Sequence, residues 1–210
     1  MIRAVFFDFG GVVLSSPFDA FASYEQRSGL PPGLLRSLNA TNPHSNAWAR
    51  LERSEIGIDE FVDAFEAEGA AAGHRVDGRQ VLACLAGELR PSMVEAVRRC
   101  SEQFVTGLLT NNFVTGPDDG GALGHPEWGP VVELFGVVVE SSRVGVRKPD
   151  TRFYELACEM AEVEPAEVVF LDDLGVNLKP AREMGMTTIK VEDPDVAIEQ
   201  LEAVVGIPLT

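Results

Sequence analysis

Glu167-Val168-Val169-Phe170-Leu171-Asp172-Asp173-Leu174-Gly175-Val176-Asn177-Leu178-Lys179-Pro180-Ala181 is the stretch that decides the fold. Its residues 168–171 form a continuous apolar, β-rich run, as a strand covered on both faces of a sheet requires. The run ends on two adjacent carboxylates, which repel one another beside buried strands unless a cation joins them. A helical pattern follows from residue 177 through 184, with Gly185 placed to stop it.

The same strand-like run recurs at residues 4–7, 105–109 and 136–139, and a fifth at 187–191 reads as an outer strand. Between them lie helical stripes. Phe153, Leu156, Ala157 and Met160 fall at helical spacing behind a capping Asp150. Pro194 suits a first turn after Asp193, and Ile198, Leu201 and Val205 continue that helix. Strands alternating with helices from about residue 91 onward imply βαβ units in a doubly wound, parallel α/β sheet.

Residues 15–89 break the rhythm. They hold no convincing strand, and Ile58, Phe61, Val62 and Phe65, with Asp59 near the start, make one helical face. A helical insertion directly after the first strand sits above the carboxyl ends of the sheet, where ligands of open α/β sheets bind. The expected division is a core of residues 1–14 and 90–210 with a helical cap of residues 15–89. Residues 111–130, with Gly116-Pro117-Asp118-Asp119-Gly120-Gly121, read as a long loop.

The formal net charge of −16 over 210 residues disfavours nucleic acid and anionic membrane surfaces as partners. An anionic substrate must therefore meet local positive charge from a metal ion, a lysine or a helix amino terminus. Cys84, Cys100 and Cys158 have no metal or disulfide spacing and fit buried thiols in a reducing compartment. No leader-like segment is read before the first strand and no apolar run is of membrane-spanning length, so the expected location is cytoplasmic.

Four features stand at strand ends: Asp8, Thr110-Asn111, Lys148-Pro149 and Asp172-Asp173. Singly, an Asp after a strand can serve as a turn or helix cap, and Thr110 or Lys148 can be structural or solvated. Together they converge, because the carboxyl ends of parallel strands share one edge. Magnesium prefers hard oxygen ligands and needs only one or two carboxylates. Asp8 and Asp173 can supply them, with Asp172 bound directly or through water. Thr110 and Lys148 can hold phosphate oxygens, and an aspartate attacking phosphorus is a recognised covalent route.

With these residues the chain resembles the haloacid dehalogenase superfamily over essentially its whole length. The likeness extends to the group that includes the amino-terminal phosphatase domain of soluble epoxide hydrolase and its bacterial relatives. It is carried by Phe7-Asp8-Phe9-Gly10-Gly11-Val12, Leu109-Thr110-Asn111, Val144-Gly145-Val146-Arg147-Lys148-Pro149 and the run from Glu167 to Ala181. The resemblance implies a Rossmann-like core, a helical cap and Asp8 as nucleophile. It further implies Thr110, Asn111 and Lys148 at the phosphate, Asp173 on magnesium, and Asn177 steadying the loop or lining the pocket, or else serving as a helix cap.

One departure stands out. Phosphatases of the family usually carry a second aspartate two residues after the nucleophile, and Gly10 occupies that position. Its backbone carbonyl can still ligate magnesium, but no side chain is left to act as general acid, a role typically worth about 10²–10⁴-fold. The expected function is a magnesium-dependent phosphatase acting on a small phosphorylated metabolite through an aspartyl-phosphate. Either a substrate with a good leaving group or a cap residue such as His44 would then make up for the missing acid. A catalytically weakened phosphate-binding or regulatory protein is the alternative. A metal-independent 2-haloacid dehalogenase ranks below both, because such an enzyme has no use for the acidic pair.

Overall fold

All five apolar runs become strands of one parallel sheet. The computed structural model describes residues 1–113, 123 and 125–210. The strands are β1 (Ala4–Phe7), β2 (Val105–Thr110), β3 (Val137–Glu140), β4 (Val168–Asp172) and β5 (Thr187–Lys190), in the order β3-β2-β1-β4-β5. The outer strand is outer: β5 forms one edge, with Thr187 and Lys190 exposed. The Gly116–Gly121 portion of the expected loop lies outside the described residues.

Five helices follow β1, namely α1 (Pro17–Arg27), α2 (Leu34–Ala40), α3 (Ala47–Glu52), α4 (Ile58–Ala71) and α5 (Gly78–Ala83). The remainder are α6 (Pro91–Ser101), α7 (Gly129–Val132), α8 (Ser141–Val144), α9 (Thr151–Ala161), α10 (Gly175–Glu183) and α11 (Pro194–Val205). The sheet is covered on both faces, as its unbroken apolar strands require. Val5 and Phe7 face one cluster with Met93, Val97 and Leu201, while Ala4 and Phe6 face the other with Phe153, Tyr154 and Leu178. Each fully buried aromatic or aliphatic side chain contributes about 1.5–3 kcal/mol.

The helical segment gathers around a third apolar cluster that includes Tyr24, Leu35, Trp48, Phe61 and Phe65. The Trp48 and Phe61 ring centroids lie 4.6 Å apart. Buried Glu25 accepts from the amides of Gly33 (2.7 Å) and Leu35 (2.8 Å), satisfying donors that the start of α2 leaves free. The chain enters and leaves this segment side by side. Leu14 and Leu89 form an antiparallel bridge, the Ser15 amide donates to the Glu88 carbonyl (2.8 Å), and Arg90 to that of Val13 (2.9 Å).

Two local expectations shift. The inward face of α9 is Phe153, Tyr154, Ala157, Cys158 and Ala161, and Met160 is 52% exposed. The helix is rotated from the expected stripe because Tyr154 turns inward and donates its hydroxyl to the Asn177 carbonyl (2.7 Å). The helix after β4 begins at Gly175, ahead of residue 177, with Leu174 at its cap position. Asn177 is therefore not a cap. Among the described residues no helix is long and apolar enough to cross a membrane.

Gly107 in β2 lies opposite Phe6 of β1, and a β-carbon there would stand 2.4 Å from the buried Phe6 ring. Gly107→Ala should therefore destabilise the protein by about 1–3 kcal/mol through overpacking, measured as a lowered urea midpoint.

Candidate active site

The strand order reverses between β1 and β4, and the crevice outside the carboxyl ends at such a point is the expected ligand site of an open α/β sheet. Phe7 pairs with Leu171, so the residues that follow them, Asp8 and Asp172, leave the sheet side by side. The Asp8 amide continues the ladder by donating to the Leu171 carbonyl (2.9 Å).

Lys148 joins these two carboxylates. Its ammonium lies 2.9 Å from Asp8 Oδ1 and 2.7 Å from Asp172 Oδ2, with the Phe170 ring 5.6 Å away, and the residue is 1% exposed. Burial alone would lower the Lys148 pKa, but Asp172 and Asp8 outweigh it and hold it above the usual lysine value. The loop bearing Lys148 is gripped from β2. The Asn111 side chain donates to the Lys148 carbonyl (3.0 Å) and accepts from its amide (2.9 Å). Asn111 thus bonds the protein through its side-chain oxygen and one of its two N–H groups.

Asp172 bonds the protein through both carboxylate oxygens. Its Oδ1 accepts from the Leu174 amide (2.8 Å) and Asn177 (3.0 Å), and its Oδ2 accepts from Lys148 and again from Asn177 (3.1 Å). Asn177 therefore steadies the acidic turn, and its own carbonyl is held by Tyr154. Asp8 differs: Oδ1 accepts from the Phe9 amide (2.7 Å) and Lys148, while Oδ2 has no hydrogen bond among the described residues. Thr110 ends β2 buried, and its hydroxyl finds only the Asn111 carbonyl, at 3.5 Å, among the described residues.

One oxygen each of Asp8, Asp172 and Asp173 falls within 4.8 Å of the others. Three carboxylates against one ammonium carry a formal charge of two negative when all are ionised. Burial pushes Asp8 well above the carboxylate range, against the pull of Lys148, and Asp172 and Asp173 push it further. Burial and then Asp172 raise Asp173 to about 6. A divalent cation would relieve this excess, and an all-oxygen donor set of this size fits magnesium. Asp8 and Asp173 have the carboxylate oxygens to offer it.

The two glycines after Asp8 have opposite constraints. Gly11 has φ +79°, and a β-carbon on it would stand 2.3 Å from Asp173 Oδ2, so the carboxylate sits where any side chain would intrude. Gly10 has φ −68° and ψ 128°, and a β-carbon there meets nothing within 4 Å among the described residues. Neither backbone nor space demands glycine at position 10.

Asp8, Lys148, Asp172, Asp173 and Asn177 are thus brought together, with Asn111 behind the lysine loop and Thr110 at the end of the neighbouring strand. Sequence reasoning did not single out Arg90, whose Nη1 donates to the Gly11 carbonyl (2.8 Å) and whose charge eases Asp173 downward. It also passed over Asn112, whose amide donates to the buried Glu140 (2.7 Å). Neither had a local signal beyond its position near a strand end or a linker. His44 lines a separate 150 Å³ cleft with Arg53, Arg147 and Asp150, which does not include Asp8 or Asp173.

An acidic trio and a bridging lysine at the switch point of a parallel sheet define a hydrolase built on a Rossmann-like core. The chain belongs to the haloacid dehalogenase-like hydrolases, whose family model matches residues 2–185. It is 33% identical to acyl-CoA dehydrogenase family member 10 of Mus musculus over 99% of the chain and 19% of that protein. To bifunctional epoxide hydrolase 2 of Sus scrofa it is likewise 33% identical, over 99% of the chain and 40% of that protein. The chain therefore spans less than half the length of these two relatives. A sesquiterpene phosphatase of Aspergillus oryzae is 28% identical, with 97% of each chain covered. Among solved structures, a haloacid dehalogenase family enzyme of Bacteroides thetaiotaomicron, in complex with magnesium and inorganic phosphate, has the same fold. Its TM-score is 0.62 at 20% identity, over 92% of this chain and 97% of that one.

With divalent cations chelated, the acidic cluster should make stability depend on pH. Asp173 holds its proton more tightly folded, at about 6, than at its ordinary value of 3.8, so its ionisation opposes folding. Stability should fall as pH rises through that window. In EDTA, Asp173→Asn should stabilise the protein at neutral pH by on the order of 1–2 kcal/mol, and the gain should vanish below about pH 4. Urea unfolding at several pH values measures both.

Proposed function

We propose that this protein is a magnesium-dependent phosphatase acting on a small phosphorylated metabolite, with Asp8 as nucleophile and helices α1–α5 as a cap over the site. The observation that carries the reading is Asp8 itself: one oxygen is anchored by Lys148 and the Phe9 amide, while the other has no hydrogen bond among the described residues. The phosphatase relative of matching length supports it, as does the magnesium and inorganic phosphate in the structural neighbour.

Asp8 and Asp173, with the Gly10 carbonyl, would hold the ion, and Asp172 would act indirectly by fixing Lys148. Bound there, magnesium would screen the negative charge between phosphate and nucleophile. Asp8 Oδ2 attacks phosphorus as the bond to the leaving oxygen breaks, giving an aspartyl-phosphate. Lys148 and the Thr110 hydroxyl steady the phosphoryl oxygens. Water then attacks the same phosphorus, releasing inorganic phosphate and restoring Asp8. With Gly10 offering no proton, the leaving group departs on its own acidity or takes a proton from solvent. This selects substrates with good leaving groups, such as acyl phosphates or anomeric sugar phosphates.

Gly10 also supports a second reading, a phosphate-binding module with little turnover. A panel of phosphomonoesters with magnesium separates the two. Hydrolysis that both EDTA and Asp8→Asn abolish supports the phosphatase. Phosphate binding without hydrolysis of any substrate supports the module, and halide release without metal overturns both.

Because position 10 has ordinary backbone angles and open space, Gly10→Asp should fold normally. It should raise kcat on alkyl phosphates, whose leaving groups need a proton, by up to about 10²–10⁴-fold, and change little on substrates with acidic leaving groups. Parallel kinetics on the two substrate types measure the contrast. No gain on alkyl phosphates would mean that another group already delivers the proton.

A further inference from the structure

Lys148 is placed from two directions, and only one of them belongs to the sheet. From β2, Asn111 brackets its backbone. From the helical segment, the hold falls on the preceding residue. Arg147 Nε lies 2.6 Å from Glu52 Oε2 at the end of α3, and both side chains are largely covered, 22% and 15% exposed. The contact is an ion pair without aligned hydrogen-bond geometry. Arg147 Nη1 also donates to the Pro43 carbonyl (3.3 Å), and Ser54 just past α3 donates its hydroxyl to the Ser142 carbonyl (2.9 Å).

Three features mark this pair as more than surface charge. A largely buried ion pair adds little net stability, because desolvation offsets the attraction, yet removing one partner strands the other. Burial raises the Glu52 pKa above its usual value, while Arg147, then Lys148 and Arg53, draw it back down. Glu52 is therefore within the electrostatic reach of the catalytic lysine. Finally, Arg147 adjoins Lys148 in the chain, so a shift at one backbone position moves the next, and the Lys148 ammonium has two contacts of 2.7 and 2.9 Å to lose.

We infer that Arg147 and Glu52 are positioning residues: helix α3, through this pair, holds the loop that aims Lys148 at Asp8. The inference rests on the phosphatase reading for its catalytic consequence but not for the latch itself. When α3 is seated, Lys148 is aligned between Asp8 and Asp172. When it lifts, the loop loses this contact and keeps the bracket that Asn111 supplies from β2. The helical segment thereby controls the electrostatics of the site and not merely access to it.

The test uses the full chain with Glu52→Gln, Arg147→Met and the exchanged double variant Glu52→Arg/Arg147→Glu. Amide hydrogen exchange over residues 145–150 should rise in both single variants and fall back in the exchanged one. With p-nitrophenyl phosphate and magnesium, each single variant should lose about 10- to 100-fold in kcat with KM nearly unchanged, since a misplacement near 1 Å costs about that much. The exchanged variant should recover at least part of the loss. Unchanged exchange over 145–150 in both single variants overturns the latch, as does an exchanged variant no better than the singles by both measures. If the wild-type chain hydrolyses nothing, the phosphatase reading fails separately, and the exchange data still decide the latch.

Discussion

A buried ammonium between two buried carboxylates organises this molecule. Lys148 cannot lie at the end of the sheet as an unpaired charge, because desolvating an ion costs several kcal/mol unless partners surround it. Asp8 and Asp172 supply those partners, and each successive layer exists to hold them. Asn177 and the Leu174 amide complete Asp172, Tyr154 holds Asn177, and Asn111 holds the backbone of the lysine itself. The result is a set of carboxylates whose oxygens are unequally committed. Asp172 has none to spare, while Asp8 keeps one.

That inequality gives the acidic cluster its division of labour. The saturated carboxylate fixes the lysine, and the less committed ones face the space where a cation and a phosphate would meet. The neighbouring glycines make the same distinction in steric terms. Gly11 is required by the Asp173 carboxylate that presses against it and by its own positive φ. Among the described residues, Gly10 is required by neither.

The helical segment has its own apolar cluster, yet it is tied to the sheet at both ends of its reach. Its two linkers run side by side at the base, and Arg90 in one of them binds the Gly11 carbonyl close to Asp8. At the far side, α3 reaches the lysine loop through Glu52 and Arg147. The segment and its linkers thus touch the loops that carry both Asp8 and Lys148.

The strands and most helices were legible in the sequence because their signals are local. An unbroken apolar run of four to six residues, or a stripe at helical spacing, states its own burial whatever it packs against. The strand-end positions of Asp8, Thr110 and Asp172-Asp173 followed from those runs, whereas Lys148 lies not at the end of β3 but on the loop beyond α8. Even within this local reading, the face of α9 was ambiguous, because two adjacent apolar stripes overlap and only the inward turn of Tyr154 chooses between them. What tertiary structure alone decided was partnership. Lys148 finds Asp172 across 24 residues and Asn111 across 37, and Glu52 at the end of α3 meets Arg147 on the loop after α8. No periodicity encodes such pairs, since hydrogen bonds and ion pairs depend on distances that exist only once the sheet has brought its strand ends together.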